Sequence, residues 1–191
     1  LDTTRPSLLL RIRDRADTSA WRTFDAIYRP MLYRFARASG LSHDDAEDVA
    51  QQCLTGISDR IGEFSYDPQK GRFKGWLRTL VNNRVRNLLR DRKDRQGSTR
   101  DFQQPQRREP LPDELFEKLW MQEHLWHCLR EVRREVEERT FKAFQAYVIE
   151  QQPLEKVCAE LSLKPNSVYT IKWRVTERVA EKMRELLDGV E

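Results

Sequence analysis

Between Phe64 and Leu77 the chain reads Phe-Ser-Tyr-Asp-Pro-Gln-Lys-Gly-Arg-Phe-Lys-Gly-Trp-Leu, aromatic rings interleaved with Lys and Arg. That mixture suits unstacked nucleic-acid bases held against their phosphates. Ring faces stack any base at roughly 1–3 kcal/mol each, while neighbouring cations neutralise the backbone. Thr79, Asn82, Asn83, Arg86 and Arg90 follow at helical spacing, opposite Leu77, Leu80, Val81, Val85 and Leu88. A second constellation lies at Pro153 to Leu187. Leu154, Val157, Cys158 and Leu161 form a short amphipathic helix, Ser162-Leu163-Lys164 a tight turn, and Pro165 sits where a helix start tolerates a missing N–H. Val168, Ile171, Val175, Val179 and Leu186 then face inward, leaving Asn166, Ser167, Tyr169, Thr170, Trp173 and Arg174 at the outer N-terminal end. A helix-turn-helix puts there the side chains that meet base edges, although an ordinary helical hairpin has the same pattern.

Other clusters carry less chemistry. Asp44, Asp45, Glu47 and Asp48 crowd the start of one helix, where the backbone dipole favours negative charge, so catalysis by them is not expected. Glu47, Asp48, Gln51, Gln52 and Thr55 line its outer side, which fits a polar docking surface for a protein and plain solvation equally. His124, His127 and Cys128 have the spacing of metal ligands, but a closed zinc site takes four and Cys158 does not complete it obviously. No metal or other cofactor is expected. Without a Gly-rich phosphate loop, a GxSxG elbow or a Cys–His nucleophile pair in credible context, an enzyme is not expected either.

The elements that must position these residues are helices. Start signals at Pro6-Ser7 and Thr18-Ser19 precede Trp21, Phe24, Ile27, Tyr28, Leu32 and Phe35 at spacings of three and four, and Gly40 closes that helix. Ser42 opens the next, with Asp45 three residues on and Ala46, Val49, Ala50, Cys53, Leu54, Ile57 and Ile61 as its buried stripe. Asp67-Pro68-Gln69-Lys70-Gly71 reads as a rigid turn. From Lys93 to Pro112, Gly, Ser, Gln and Pro mix with charge and read as a linker. The expected fold is all-α, two small helical domains: 1–92, a linker 93–112, and 113–191 with the helix-turn-helix. Of 191 residues, 35 are Lys or Arg and 31 Asp or Glu, so the net charge of +4 points only weakly to nucleic acid and clustering must decide. Cys53, Cys128 and Cys158 form no CxxC pair, which with the lack of a membrane-length apolar run suggests a reducing, cytoplasmic location.

In order, these pieces resemble a bacterial RNA polymerase sigma factor of the extracytoplasmic-function class. The resemblance rests on Asp45-Ala-Glu-Asp-Val-Ala-Gln51, similar to the acidic helix before that family's melting segment, on Trp76-Leu-Arg-Thr-Leu-Val-Asn-Asn83, similar to its Trp-Leu helix, and on the C-terminal helix-turn-helix. It implies that Glu47, Asp48, Gln51 and Gln52 dock on core RNA polymerase. It implies that Phe64, Lys70, Arg72, Phe73, Lys74, Trp76, Thr79, Asn82, Asn83 and Arg86 capture and open the promoter element nearest the start site, with Trp76 equally suited to a core role. Asn166, Ser167, Tyr169, Thr170, Trp173 and Arg174 would read an upstream element as duplex DNA, Arg174 rather at a phosphate than at a base because it lies about two turns into the helix. Where the family commonly has Gly-Thr-Val, this chain has Asn166-Ser167-Val168. The linker, with seven Lys or Arg against three Asp between positions 90 and 108, would thread polymerase near the template and nascent RNA. An anti-sigma factor is a further partner the family allows.

The resulting expectation is a sigma factor, a non-catalytic subunit directing promoter-specific transcription initiation. A stand-alone helix-turn-helix transcription regulator would explain Pro153 to Leu187 but not the aromatic and basic loop. A metal-dependent nuclease built on Asp44 to Asp48 lacks a convergent partner for its carboxylates.

Overall fold

The structure is a computed structural model that describes residues 8–62, 73–95 and 113–187, with side chains of the middle stretch described through Asp91. Every regular element among these residues is helical. They are α1 (Leu8–Arg11), α2 (Thr18–Ala38), α3 (His43–Arg60), α4 (Phe73–Arg95), α5 (Asp113–Glu135), α6 (Glu138–Phe144), a π-helical turn (Gln145–Ile149), α7 (Leu154–Leu161) and α8 (Pro165–Leu187). α4 runs on to Arg95, so the first three residues of the expected 93–112 linker are helical; the rest of that linker and the Asp67 to Gly71 turn lie outside the described residues.

The caps explain where these helices begin. Asp17 accepts from the Ala20 N–H at 2.8 Å and holds Arg11 through paired hydrogen bonds of 2.9 and 3.1 Å, tying α1 to the start of α2. Ser42 accepts from the Asp45 N–H and donates to its carboxylate, with Asp44 and Asp45 in the first turn of α3. Those two carboxylates therefore serve the helix start. α2 runs through Pro30, a residue that costs a helix interior about 3 kcal/mol. Phe24, Ile27, Tyr28, Met31, Leu32 and Phe35 are all buried around it, and at about 1.5–3 kcal/mol per large apolar side chain their burial outweighs the break.

The chain forms two compact units, the first extending to Glu123 and the second spanning His124–Leu186. The division therefore falls inside α5 rather than at the linker. Its cause is aromatic: Phe116 and Trp120, one helical turn apart, join the core of α2 and α4. Trp120 lies 5.6 Å from Tyr28 and 6.4 Å from Phe73, and Phe116 lies 5.7 Å from Phe35. Phe24 and Tyr28 approach to 4.3 Å, and both touch Phe73 edge-on. Such ring pairs add about 0.5–1.5 kcal/mol beyond the area they bury. Burial holds the Tyr28 phenol well above its ordinary range. In the same unit the nearly buried Glu123 pairs with Arg34, and the Cys53 thiol is pushed up to about 12 by burial.

The second unit builds from smaller side chains. Cys128, Leu129, Val132, Phe144, Val175 and Val179 make one cluster, and Ala143, Val157 and Val168 another, with Ile171 packed against both. The chain leaves the π-helical turn through Gln151, whose φ of 52° is left-handed, and the Gln152 N–H returns to the Ala146 carbonyl at 2.9 Å. Cys53, Cys128 and Cys158 are free thiols. His124 is buried and His127 partly so, and no group of three or more His, Cys, Asp or Glu among the described residues could hold a metal ion. No helix among them is long and apolar enough to cross a membrane.

Candidate partner and nucleic-acid interfaces

Three surfaces carry the residues singled out by sequence. The first joins α2 and α3. Ala46, Val49, Ala50, Cys53, Leu54 and Ile57 are buried, which turns Glu47, Asp48, Gln51 and Thr55 outward and leaves Gln52 half-buried. Gln52 donates to Asp48 at 2.7 Å, and Gln51 accepts from Arg29 of α2 at 3.1 Å. Arg29 is itself gripped by both oxygens of Asp25. That hydrogen bond, more than the nearby Glu47 carboxylate, pushes the guanidinium above its ordinary value, and partial burial opposes the shift. Asp25 and Arg29 thus belong to the patch although they were not singled out by sequence. Their i,i+4 spacing was the available signal. The patch alternates acceptors with one held cation, a surface able to exchange hydrogen bonds with a complementary polar protein face.

The second surface is α4. Phe73, Leu77, Val81 and Val85 are buried at every fourth position, so Thr79, Asn83, Arg86 and Arg90 emerge on the opposite side with Asn82 half-buried beside them. Thr79 donates to the Gly75 carbonyl at 3.0 Å. Asn83 and Arg86 combine amide donors and acceptors with a fork of guanidinium donors on one exposed strip. Two expectations change. Phe73 is fully buried among Phe24, Tyr28 and Trp120, so its ring packs the core instead of offering a face to a base. Lys74 pairs with Glu117 and lies 5.5 Å over the Trp120 ring, which directs its charge to α5. Arg78, not singled out before, pairs with Asp113 at 3.0 Å. Trp76 is half-buried against Phe73 at 5.6 Å, an arrangement that serves packing and leaves part of the indole outside. Phe64, Lys70 and Arg72 lie outside the described residues.

Residues 26–95 match the Sigma-70 region 2 family. The match begins within α2 and ends with the last residue of α4, so it takes in both surfaces just described apart from Asp25. It supports a sigma-factor relationship, and region 2 of that family binds core RNA polymerase and promoter DNA. No curated protein matches the chain.

The third surface lies beyond the region 2 match, on α8. A three-residue turn separates it from α7: Ser162 is left-handed at φ 50°, and the Leu163 N–H reaches the Cys158 carbonyl at 3.0 Å. Arg139 of α6 caps the turn, donating to the Leu161 carbonyl at 3.1 Å and to the Ser162 carbonyl at 2.9 Å. Pro165 starts α8 as its missing N–H allows. Val168, Val175 and Val179 are buried, while Asn166, Tyr169, Thr170, Trp173 and Arg174 are exposed and Ser167 is half-buried. The Tyr169 ring meets Tyr147 edge-on at 6.0 Å, and Lys172 stands 5.8 Å over the same Tyr147 ring. Tyr147 and Lys172 are additions to the expected set. The neighbouring Tyr147 is the largest influence raising the Tyr169 phenol above its ordinary value.

Proposed function

We propose that this chain is a sigma factor of the extracytoplasmic-function class, a non-catalytic subunit that gives core RNA polymerase its start sites. The α2–α3 patch of Asp25, Arg29, Glu47, Asp48, Gln51 and Gln52 docks on the polymerase. The outer strip of α4, with Trp76, Thr79, Asn82, Asn83 and Arg86, captures and holds open the promoter element nearest the start site together with the loop bearing Phe64, Lys70 and Arg72. α8 reads an upstream element as duplex DNA. The observation that carries this reading is the coincidence of the region 2 match with two exposed polar faces, each standing opposite a buried apolar stripe. The cost of an unstacked base is met by ring and cation contacts at such a face, with no bond made or broken by the chain itself.

Multi-round transcription on a promoter library with purified core polymerase tests the reading. Promoter-specific transcripts that require the chain are expected. Duplex binding without transcripts would favour the regulator instead, and metal-dependent cleavage the nuclease.

A further inference from the structure

Trp173 is 65% exposed, more than any other large apolar side chain among the described residues. Its place on α8 gives the exposure meaning. Stepping about 100° per residue, Asn166, Thr170 and Trp173 form one column on the side opposite the buried Val168 and Val175. Arg174 and Arg178 border that column on one side, both exposed, and Lys164 stands exposed in the preceding turn, while Lys172 lies over the Tyr147 ring. A strip with cations along one side and at its start matches one edge of a DNA groove, where bases lie beside a phosphate backbone.

We propose that this strip reads thymine: the Trp173 indole and the Thr170 methyl contact the C5-methyl of a T·A pair in the major groove of the upstream element. The inference rests on the assignment of α8 as the duplex-reading helix. The hydrogen-bonding inventory of the column supports it. The Thr170 hydroxyl donates to the Asn166 carbonyl at 2.9 Å, leaving its methyl and its lone pairs for a ligand. Tyr169 leans toward Tyr147, away from the column. The indole has a single N–H and otherwise only apolar surface. Among the four base pairs, the apolar group on the major-groove edge is the thymine methyl, so an exposed apolar side chain there discriminates T from C, G and A. Glu177, next in the column and exposed, sets a limit: its carboxylate repels phosphates, so base contact ends near Trp173. Arg174 and Arg178 beside the column and Lys164 before it favour a polyanion over an apolar protein face as the occupant.

The test uses the 191-residue chain, alone and bound to core RNA polymerase, with a selected upstream duplex in which each thymine is replaced in turn by deoxyuridine. That change removes the methyl and keeps the pairing. At one thymine the wild type should lose about fourfold in affinity, the effect of one methyl-sized group leaving an apolar contact. Trp173→Ala should lose most of the thymine preference, the Thr170 methyl keeping the rest, with an unchanged circular-dichroism melt because the side chain is exposed. Trp173→Phe should keep part of the preference. Indifference of the wild type to uracil at every position overturns the thymine contact while leaving α8 as a DNA reader. Undiminished uracil sensitivity in Trp173→Ala, or unchanged affinity of that variant for every duplex, overturns it as well and returns Trp173 to a protein-facing role. Failure to select any duplex over random DNA removes the assignment of α8 itself, and the thymine contact with it.

Discussion

The two units differ in how far they hide their aromatic residues. In the unit extending to Glu123, Phe24, Tyr28, Phe35, Phe73, Phe116 and Trp120 are all at most 1% exposed, and the surface chemistry falls to Asn, Gln, Asp, Glu and Arg. In the His124–Leu186 unit Phe141 and Phe144 are buried too, but the clusters are built mainly of Val, Leu, Ala and Cys, and Tyr169 and Trp173 stand 48% and 65% exposed. A ring inside a core contributes area and shape. A ring outside leaves apolar surface in water and is useful only when something covers it. Residue type alone therefore does not reveal which rings act on a partner; packing does.

The largest effect should come from setting one tryptophan against the other. Trp120→Ala should lower the unfolding free energy of the first unit by about 3–5 kcal/mol, the usual cost of emptying a large aromatic site in a core. Trp173→Ala should stay within about 0.5 kcal/mol of wild type. Denaturant titration followed by circular dichroism measures both, and similar costs for the two would erase the contrast.

Next in size is the polar surface of the first unit. Asp48→Arg combined with Gln51→Ala should weaken core polymerase binding by on the order of tenfold or more, since a reversed charge in a complementary interface costs several kcal/mol. Thermal stability should hold, because Asp48 and Gln51 are exposed. Wild-type affinity in a titration would move the docking surface elsewhere. Asn83→Ala with Arg86→Ala should spare that affinity and reduce strand opening, read as lost permanganate reactivity of unpaired thymines. Unchanged reactivity would remove the α4 strip from opening.

A smaller effect attaches to the ion pair joining α2 and α5. Glu123 is 3% exposed and Arg34 47%, so the pair stands between a buried bridge and a surface one. Glu123→Gln should cost about 1–2 kcal/mol, between the roughly 0–1 kcal/mol of exposed pairs and the 3–5 kcal/mol of broken buried ones. The check is the same denaturant titration. No change would mark the pair as ornamental to the aromatic packing around it.

The smallest is a pH effect confined to the second unit. Burial lowers the His127 pKa below its ordinary 6.5, aided by Arg130, Arg134 and Lys182 and opposed by Glu131. The folded unit then binds fewer protons than the unfolded chain, so stability is full above 6.5 and declines as pH falls from there through the folded value. His127→Gln should flatten this decline in melts taken across that window. A wild-type stability unchanged below 6.5 would contradict it.

Much of the polar chemistry was legible because a helix face follows from spacing. Asn83, Arg86 and Thr79 were expected opposite Leu77 and Val81, and Val168 and Val175 beneath Asn166 and Thr170, from a period that four or five residues suffice to display. Phe73 misled the same reading. It sits among cations at the end of an aromatic and basic stretch, where its neighbours in sequence suggest a nucleic-acid contact, yet it opens the buried stripe of α4. Lys74 followed it, since Glu117 and the Trp120 ring that engage it lie more than forty residues downstream in the chain.

By itself, then, the sequence determined the helices of α2 to α4 and the α7–α8 pair, their starts at Ser42 and Pro165, and the division of those helices into inner and outer faces. These depend on hydrogen bonds and side-chain directions within about one turn of chain, which local residue types control directly. Tertiary structure alone decided that α5 shares itself between two units, that Asp25 and Arg29 complete the patch on α3, and that Arg34 meets Glu123. The partners in such contacts are far apart along the chain, 89 residues for Arg34 and Glu123. An apolar stripe specifies that a face will be buried but not against what, because burial of apolar area is non-directional. Only the simultaneous packing of Phe35, Tyr28, Phe73, Phe116 and Trp120 selects which rings meet and which side chains are carried to the surface.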